Sequence, residues 1–103
     1  MKVFFPIRCI DVPASPPHDQ GTAYRVSYGV EHWGPEPTYV YKVQIAHKGI
    51  VSGRRSPSFP ADADDFERVC QAMAELRRGG SDGGRKQDCS GRAMQNIAEE
   101  QAL

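Results

Sequence analysis

Along the first half of the chain, apolar and polar side chains alternate in steps of two. Tyr24, Val26, Tyr28 and Val30 are interleaved with Arg25, Ser27, Gly29 and Glu31. Tyr39, Tyr41, Val43 and Ile45 are interleaved with Val40, Lys42, Gln44 and Ala46. A period of two sends one set to a covered sheet face and the other toward solvent, the pattern of an antiparallel sheet. It predicts strands over 22–33 and 38–47. An earlier strand is predicted over 3–12, with Val3, Phe5, Ile7 and Cys9 on one face and Phe4, Arg8 and Ile10 on the other. Pro6 falls inside that run. Proline has no N–H for a ladder, so it points to an edge strand or a bulge. A fourth strand is expected over 50–55, after a tight Lys48-Gly49 turn in which glycine supplies the positive φ. Residues 13–21 (PASPPHDQG) and 34–37 (GPEP) read as loops. Short connections favour neighbouring strands, so the four form a meander.

Beyond residue 60 the period changes. Phe66, Val69, Cys70, Met73 and Leu76 recur at three- and four-residue steps and predict one helix with a single apolar stripe. Its start is expected at Asp62 or Asp64, with Asp64 and Glu67 spaced as a capping box. Arg77 and Arg78 suit the negative end of the helix dipole, and Gly79-Gly80 stops it. The fold class is therefore α+β: a four-stranded, mostly antiparallel meander packed by one main helix, over residues 1–78. Residues 79–89 (GGSDGGRKQDC) read as a flexible linker. Residues 90–103 regain helical periodicity through Met94, Ile97, Ala98 and Gln101, a short C-terminal helix free to stay mobile or to dock on a second subunit.

Composition narrows the function classes. The 103 residues suit one domain with a modest core, and no staple is required. The formal net charge is zero, which argues against strong sequence-independent attraction to nucleic acid or acidic membranes. The charge is uneven, however: +3 over residues 1–60 and −3 over 61–103. This fits a mildly basic sheet facing a mildly acidic helix. No run approaches the ~20 apolar residues of a membrane span. Three cysteines without a C-x₂-C pair and without a signal peptide indicate a reducing, cytoplasmic setting. Cys9 and Cys70 fall on predicted core stripes as small buried hydrophobes, while Cys89 lies in the linker.

The stretch 53–69 (GRRSPSFPADADDFERV) places two arginines ahead of a helix start, as an anion site would. Asp62, Asp64 and Asp65 already occupy that start and repel a phosphate. The stretch therefore reads as a joint, with Arg54 or Arg55 paired to the aspartates for about 0–1 kcal/mol and Phe59 plugged beneath the helix start. Ser56-Pro57 resembles a proline-directed phosphorylation site, but two-residue turns of that kind are common. His18, His32 and His47 have neither H-x₃-H nor H-E-x-x-H spacing and read as surface residues. No paired carboxylates, phosphate loop or nucleophile elbow is visible, so no catalytic, metal or cofactor residues are assigned and the chain reads as non-enzymatic.

Three binding roles remain. The leading expectation is a small interaction module that self-associates, through its sheet or its C-terminal helix, as a homo-oligomer or with another protein. One helix covers only part of one sheet face, and apolar residues occupy both registers: Phe4, Ile10, Val40 and Val51 on one, Phe5, Ile7, Val43 and Ile45 on the other. The second is nucleic-acid binding through the sheet or the basic hairpin. Tyrosines would stack bases while Arg25, Lys42, Lys48, Arg54 and Arg55 touch phosphates. The third is a small-ligand pocket between sheet and helix, lined by tyrosines and Trp33. Across these roles the candidate binding residues are Arg25, Trp33, Tyr39, Tyr41, Lys42, Arg54 and Arg55.

Overall fold

The structure is a computed structural model and describes residues 4–79. The element order is β1 (Phe4–Pro13), β2 (Thr22–His32), β3 (Pro37–His47), β4 (Ile50–Ser52) and α1 (Asp65–Arg77). The strands form one antiparallel sheet in the order β1-β2-β3-β4, so the meander is present. The expected linker and C-terminal helix lie outside the described residues.

Each turn has a local cause. Lys48 and Gly49 both take positive φ (52° and 84°), and His47 faces Ile50 across a two-residue hairpin. Two positive-φ residues match the right-handed twist of the strands they join. Gly79 takes φ 82° just past α1, and its N–H donates to the Leu76 carbonyl at 3.1 Å. A left-handed glycine there closes the last turn.

β1 is an edge strand and carries a bulge. Its pairing with β2 slips between Pro6 and Arg8, leaving Ile7 as the extra residue. Pro6 thus marks both features that proline signals. The slip reverses the parity of the strand's first half. Phe5 opposes Val30 and joins the face of Ile10 and Val12, whereas Phe4 opposes Glu31 on the other face. The expected grouping of Phe4 with Ile10, and of Phe5 with Cys9, is corrected accordingly. Gly29 sits where the bulge crowds β2. A Cβ there would lie 2.4 Å from the Phe5 carbonyl oxygen and 2.8 Å from the Pro6 Cα, so only glycine fits.

α1 packs on β1 and β2. The core joins Ile10, Val12, Tyr24, Val26 and Ile45 of the sheet to Val69, Ala72 and Leu76 of the helix. The helix is rotated from the expected stripe: Asp65, Val69, Ala72 and Leu76 point inward, while Phe66 and Cys70 are exposed. Hydrophobicity alone misplaces this face because its first member is an aspartate. β4 ends at Ser52 rather than Arg55, and Gly53, Arg54 and Arg55 are exposed. Cys9 is fully buried. No helix among the described residues is long and apolar enough to cross a membrane.

Candidate functional site

Among the described residues, two polar constructions and two open surfaces remain after the core is assigned. The first construction sits at the N-terminus of α1. Asp65 is completely buried, yet four donors reach its carboxylate. They are the Ser15 amide at 2.9 Å, the Ser15 hydroxyl at 2.5 Å, the Tyr24 hydroxyl at 2.7 Å and Arg68 Nη2 at 2.7 Å. Burial alone would raise the Asp65 carboxyl. The hydrogen bonds from Ser15, Tyr24 and Arg68 outweigh it and hold the group well below the usual carboxylate range. Burial and the same carboxylate push the Tyr24 phenol upward.

The Tyr24 hydroxyl also lies 2.8 Å from the Ser58 carbonyl, which accepts a hydrogen bond from His18 Nε2 at 2.8 Å. Phe59 stacks on Tyr24 at 4.8 Å and meets Phe66 edge-on at 5.3 Å. The network ties the β1–β2 loop, β2, the β4–α1 connection and α1 together. Its ions and hydroxyls satisfy one another, so the network acts as a clasp between these elements.

This clasp corrects the expected cap. Asp64 is the N-cap residue but makes no side-chain cap hydrogen bond, and its carboxylate accepts instead from Arg68 Nε at 3.0 Å. The aspartates are held by Arg68 rather than by Arg54 or Arg55, neither of which has an ion-pair partner among the described residues.

The second construction is on the sheet face away from α1. Arg25, almost fully buried, donates from Nε and Nη2 to the two oxygens of Asp11 at 2.8 and 3.0 Å, a bidentate pair. Lys42 pairs with Glu31 and stands over the Phe4 ring, 4.6 Å from its centroid. The Lys42 ammonium, with help from the Trp33 indole N–H, keeps the Glu31 carboxyl below its ordinary value. Arg25 and Lys42 are thus committed to carboxylates. They lie on the opposite face from the tyrosines expected to work with them.

The first open surface lies on the helix-bearing face, beyond the reach of α1. Tyr28 opposes Arg8 on one side and Tyr41 on the other. Its ring stacks with Tyr39 at 5.9 Å, tilts against Tyr41 at 5.1 Å, and carries the Arg8 guanidinium 4.4 Å above its centroid. Arg8 Nη2 also donates to the Leu76 carbonyl at 3.1 Å, so this arginine spans from the helix end to the tyrosines. Tyr39 is 62% exposed, Tyr41 40% and Phe5 45%. Of the candidate residues, only Tyr39 and Tyr41 meet here. Trp33 is 70% exposed beyond the end of β2, and Arg54 and Arg55 follow β4. Sequence reasoning passed over Arg8, and weighed Tyr28 only as one of the tyrosines of a shared face. The signal was the alternation itself, which puts Tyr28, Tyr39 and Tyr41 on one face once β2 and β3 are aligned.

The second open surface is a groove of about 420 Å³ between α1, Val43 of β3 and the connection at Pro57 and Phe59. A pocket between sheet and helix was expected, but tyrosines and Trp33 do not line it. Phe66, Cys70 and Met73 do. Among the described residues no group of three or more His, Cys, Asp or Glu is placed to hold a metal ion. No family model matches this chain, and neither a curated protein nor a solved structure matches it.

Proposed function

We propose that the chain is a non-enzymatic binding module that self-associates through the half of the sheet face that α1 leaves open. One observation carries this reading. α1 rests on β1 and β2, while Phe5, Tyr39 and Tyr41 stand exposed beside Tyr28 on the same face. Contiguous exposed aromatic surface of this kind marks interaction sites. Tyrosine suits the centre of an interface, because its ring gives large area at low entropy cost and its hydroxyl keeps a polar partner. A two-fold arrangement would lay the patch on its own copy, burying tyrosines against tyrosines. The clasp at Asp65 supports the reading indirectly, since it spends the most perturbed carboxylate among the described residues on structure.

The test is the molar mass in solution, measured by light scattering across a wide concentration range at low and high salt. A dimer that survives high salt is expected. A monomer at every concentration would reject self-association.

A second reading has its own observation in its favour. Arg8 and three tyrosines share one open surface, and aromatic faces beside an arginine can stack the bases of single-stranded nucleic acid. It predicts oligonucleotide affinity that falls steeply with salt. Absent or salt-insensitive binding would reject it.

A further inference from the structure

The rotation of α1 has a second consequence, separate from the tyrosine surface. With Asp65, Val69, Ala72 and Leu76 turned to the sheet, the neighbouring stripe of Phe66, Cys70, Met73 and Arg77 becomes one wall of the groove. Val43 and Phe59 form the other. At about 420 Å³ the groove falls within the roughly 300–1,000 Å³ usual for small-molecule sites. Such sites pair a mostly apolar lining with very few polar groups that fix orientation. Here the lining carries a single charge, the Arg77 guanidinium, and Arg77 has no ion-pair partner among the described residues.

We infer that this groove binds a small amphipathic carboxylate, an apolar chain with one anionic head, of the size of a medium-chain fatty acid. The apolar chain would lie along Val43, Phe59, Phe66 and Met73, losing contact with water. The carboxylate would sit at Arg77, whose planar fork matches its two oxygens. Charge complementarity at Arg77 selects this ligand over a neutral one, and the otherwise apolar lining takes its chain. Cys70 is a free thiol in the same lining and reports occupancy.

The experiment uses the full chain at low protein concentration and decanoate below its micelle concentration. The rate of Cys70 alkylation by iodoacetamide is followed by peptide mass spectrometry. Saturable protection of Cys70 is expected, at least fivefold at full occupancy. Arg77→Gln should weaken decanoate by roughly three- to tenfold, the worth of one partly exposed charge-assisted contact. The same variant should leave the weaker binding of 1-decanol unchanged. Arg77 is exposed and outside the core, so this variant keeps the fold. Unprotected Cys70 at saturating decanoate would overturn the proposal, as would equal decanoate affinity of Arg77→Gln and the parent chain. Protection that grows with protein concentration alone would also overturn it, by showing that a second copy fills the groove. Self-association through the tyrosines stands or falls independently, because its readout is mass and not thiol access.

Discussion

Tyr24 and Tyr28 are four residues apart on one strand and face the same way, yet they belong to different parts of the molecule. Tyr24 is completely buried, stacked on Phe59 and hydrogen-bonded to the buried Asp65 carboxylate. Tyr28 lies among exposed tyrosines with an arginine over its ring. The difference comes from the footprint of α1. Thirteen helical residues reach about 20 Å, and they are anchored at the Asp65 end. The Tyr24 half of the sheet became the core, while the Tyr28 half was left for another surface. An alternating Tyr/Val pattern marks a face of a sheet, and what lies on top decides whether that face is core or contact surface.

The sharpest way to break the contrast is at the anchored end. Asp65→Ala removes the acceptor shared by Ser15, Tyr24 and Arg68, leaving the Tyr24 hydroxyl only the Ser58 carbonyl and Arg68 without its buried partner. Loss of one partner of such a buried cluster costs about 3–5 kcal/mol. Urea unfolding should show that loss, a large part of the ~5–15 kcal/mol stability of a small domain. A shift of under ~1 kcal/mol would mean the clasp is dispensable. Tyr24→Phe leaves Asp65 short of one donor and should cost about 1–3 kcal/mol in the same assay. Gly29→Ala forces a Cβ against the Phe5 carbonyl and should cost a similar ~1–3 kcal/mol through overpacking, with no change at the clasp.

Acid sharpens the comparison in a different way. The Asp65 and Glu31 carboxyls are both held below their ordinary values in the folded chain. In acid the unfolded chain therefore binds more protons than the folded one. The stability these groups contribute is complete above the unfolded carboxylate range, near pH 4, and drains away as pH falls through the lower folded values. Urea midpoints should stay level from neutral pH to about 5 and drop progressively below it. Asp65→Asn should flatten that drop. An unaltered acid limb in this variant would show that Asp65 is not its source. The smallest effect on stability is expected at the open end, where Tyr39→Ser and Tyr41→Ser should each shift it by no more than about 0.5 kcal/mol.

Much of this fold was legible in the chain. Period-two alternation placed β2 and β3 within a residue of their ends, and Pro6 announced both the edge and the bulge. What stayed hidden depended on pairing across the chain. The face carried by Phe4 and Phe5 changed because a single unpaired residue at Ile7 reverses parity, and no local count reveals it. The helix face shifted because Asp65 looks like a solvent-exposed cap until Ser15, Tyr24 and Arg68 are brought around it. The open surface was half visible. Tyr39 and Tyr41 were singled out, but Arg25 and Lys42 alternate onto the other face, toward Asp11 and Glu31. Arg8 emerged only because the bulge and the end of α1 turn it over Tyr28.

Replacing both Tyr39 and Tyr41 with serine, and measuring molar mass by sedimentation equilibrium beside the parent chain, tests the central claim most directly. The account predicts a parent dimer that persists in high salt, and a double variant that is monomeric with nearly parental urea stability. A variant that associates as the parent does would contradict it, because the open half of the sheet would then not be the surface through which this molecule meets its partner.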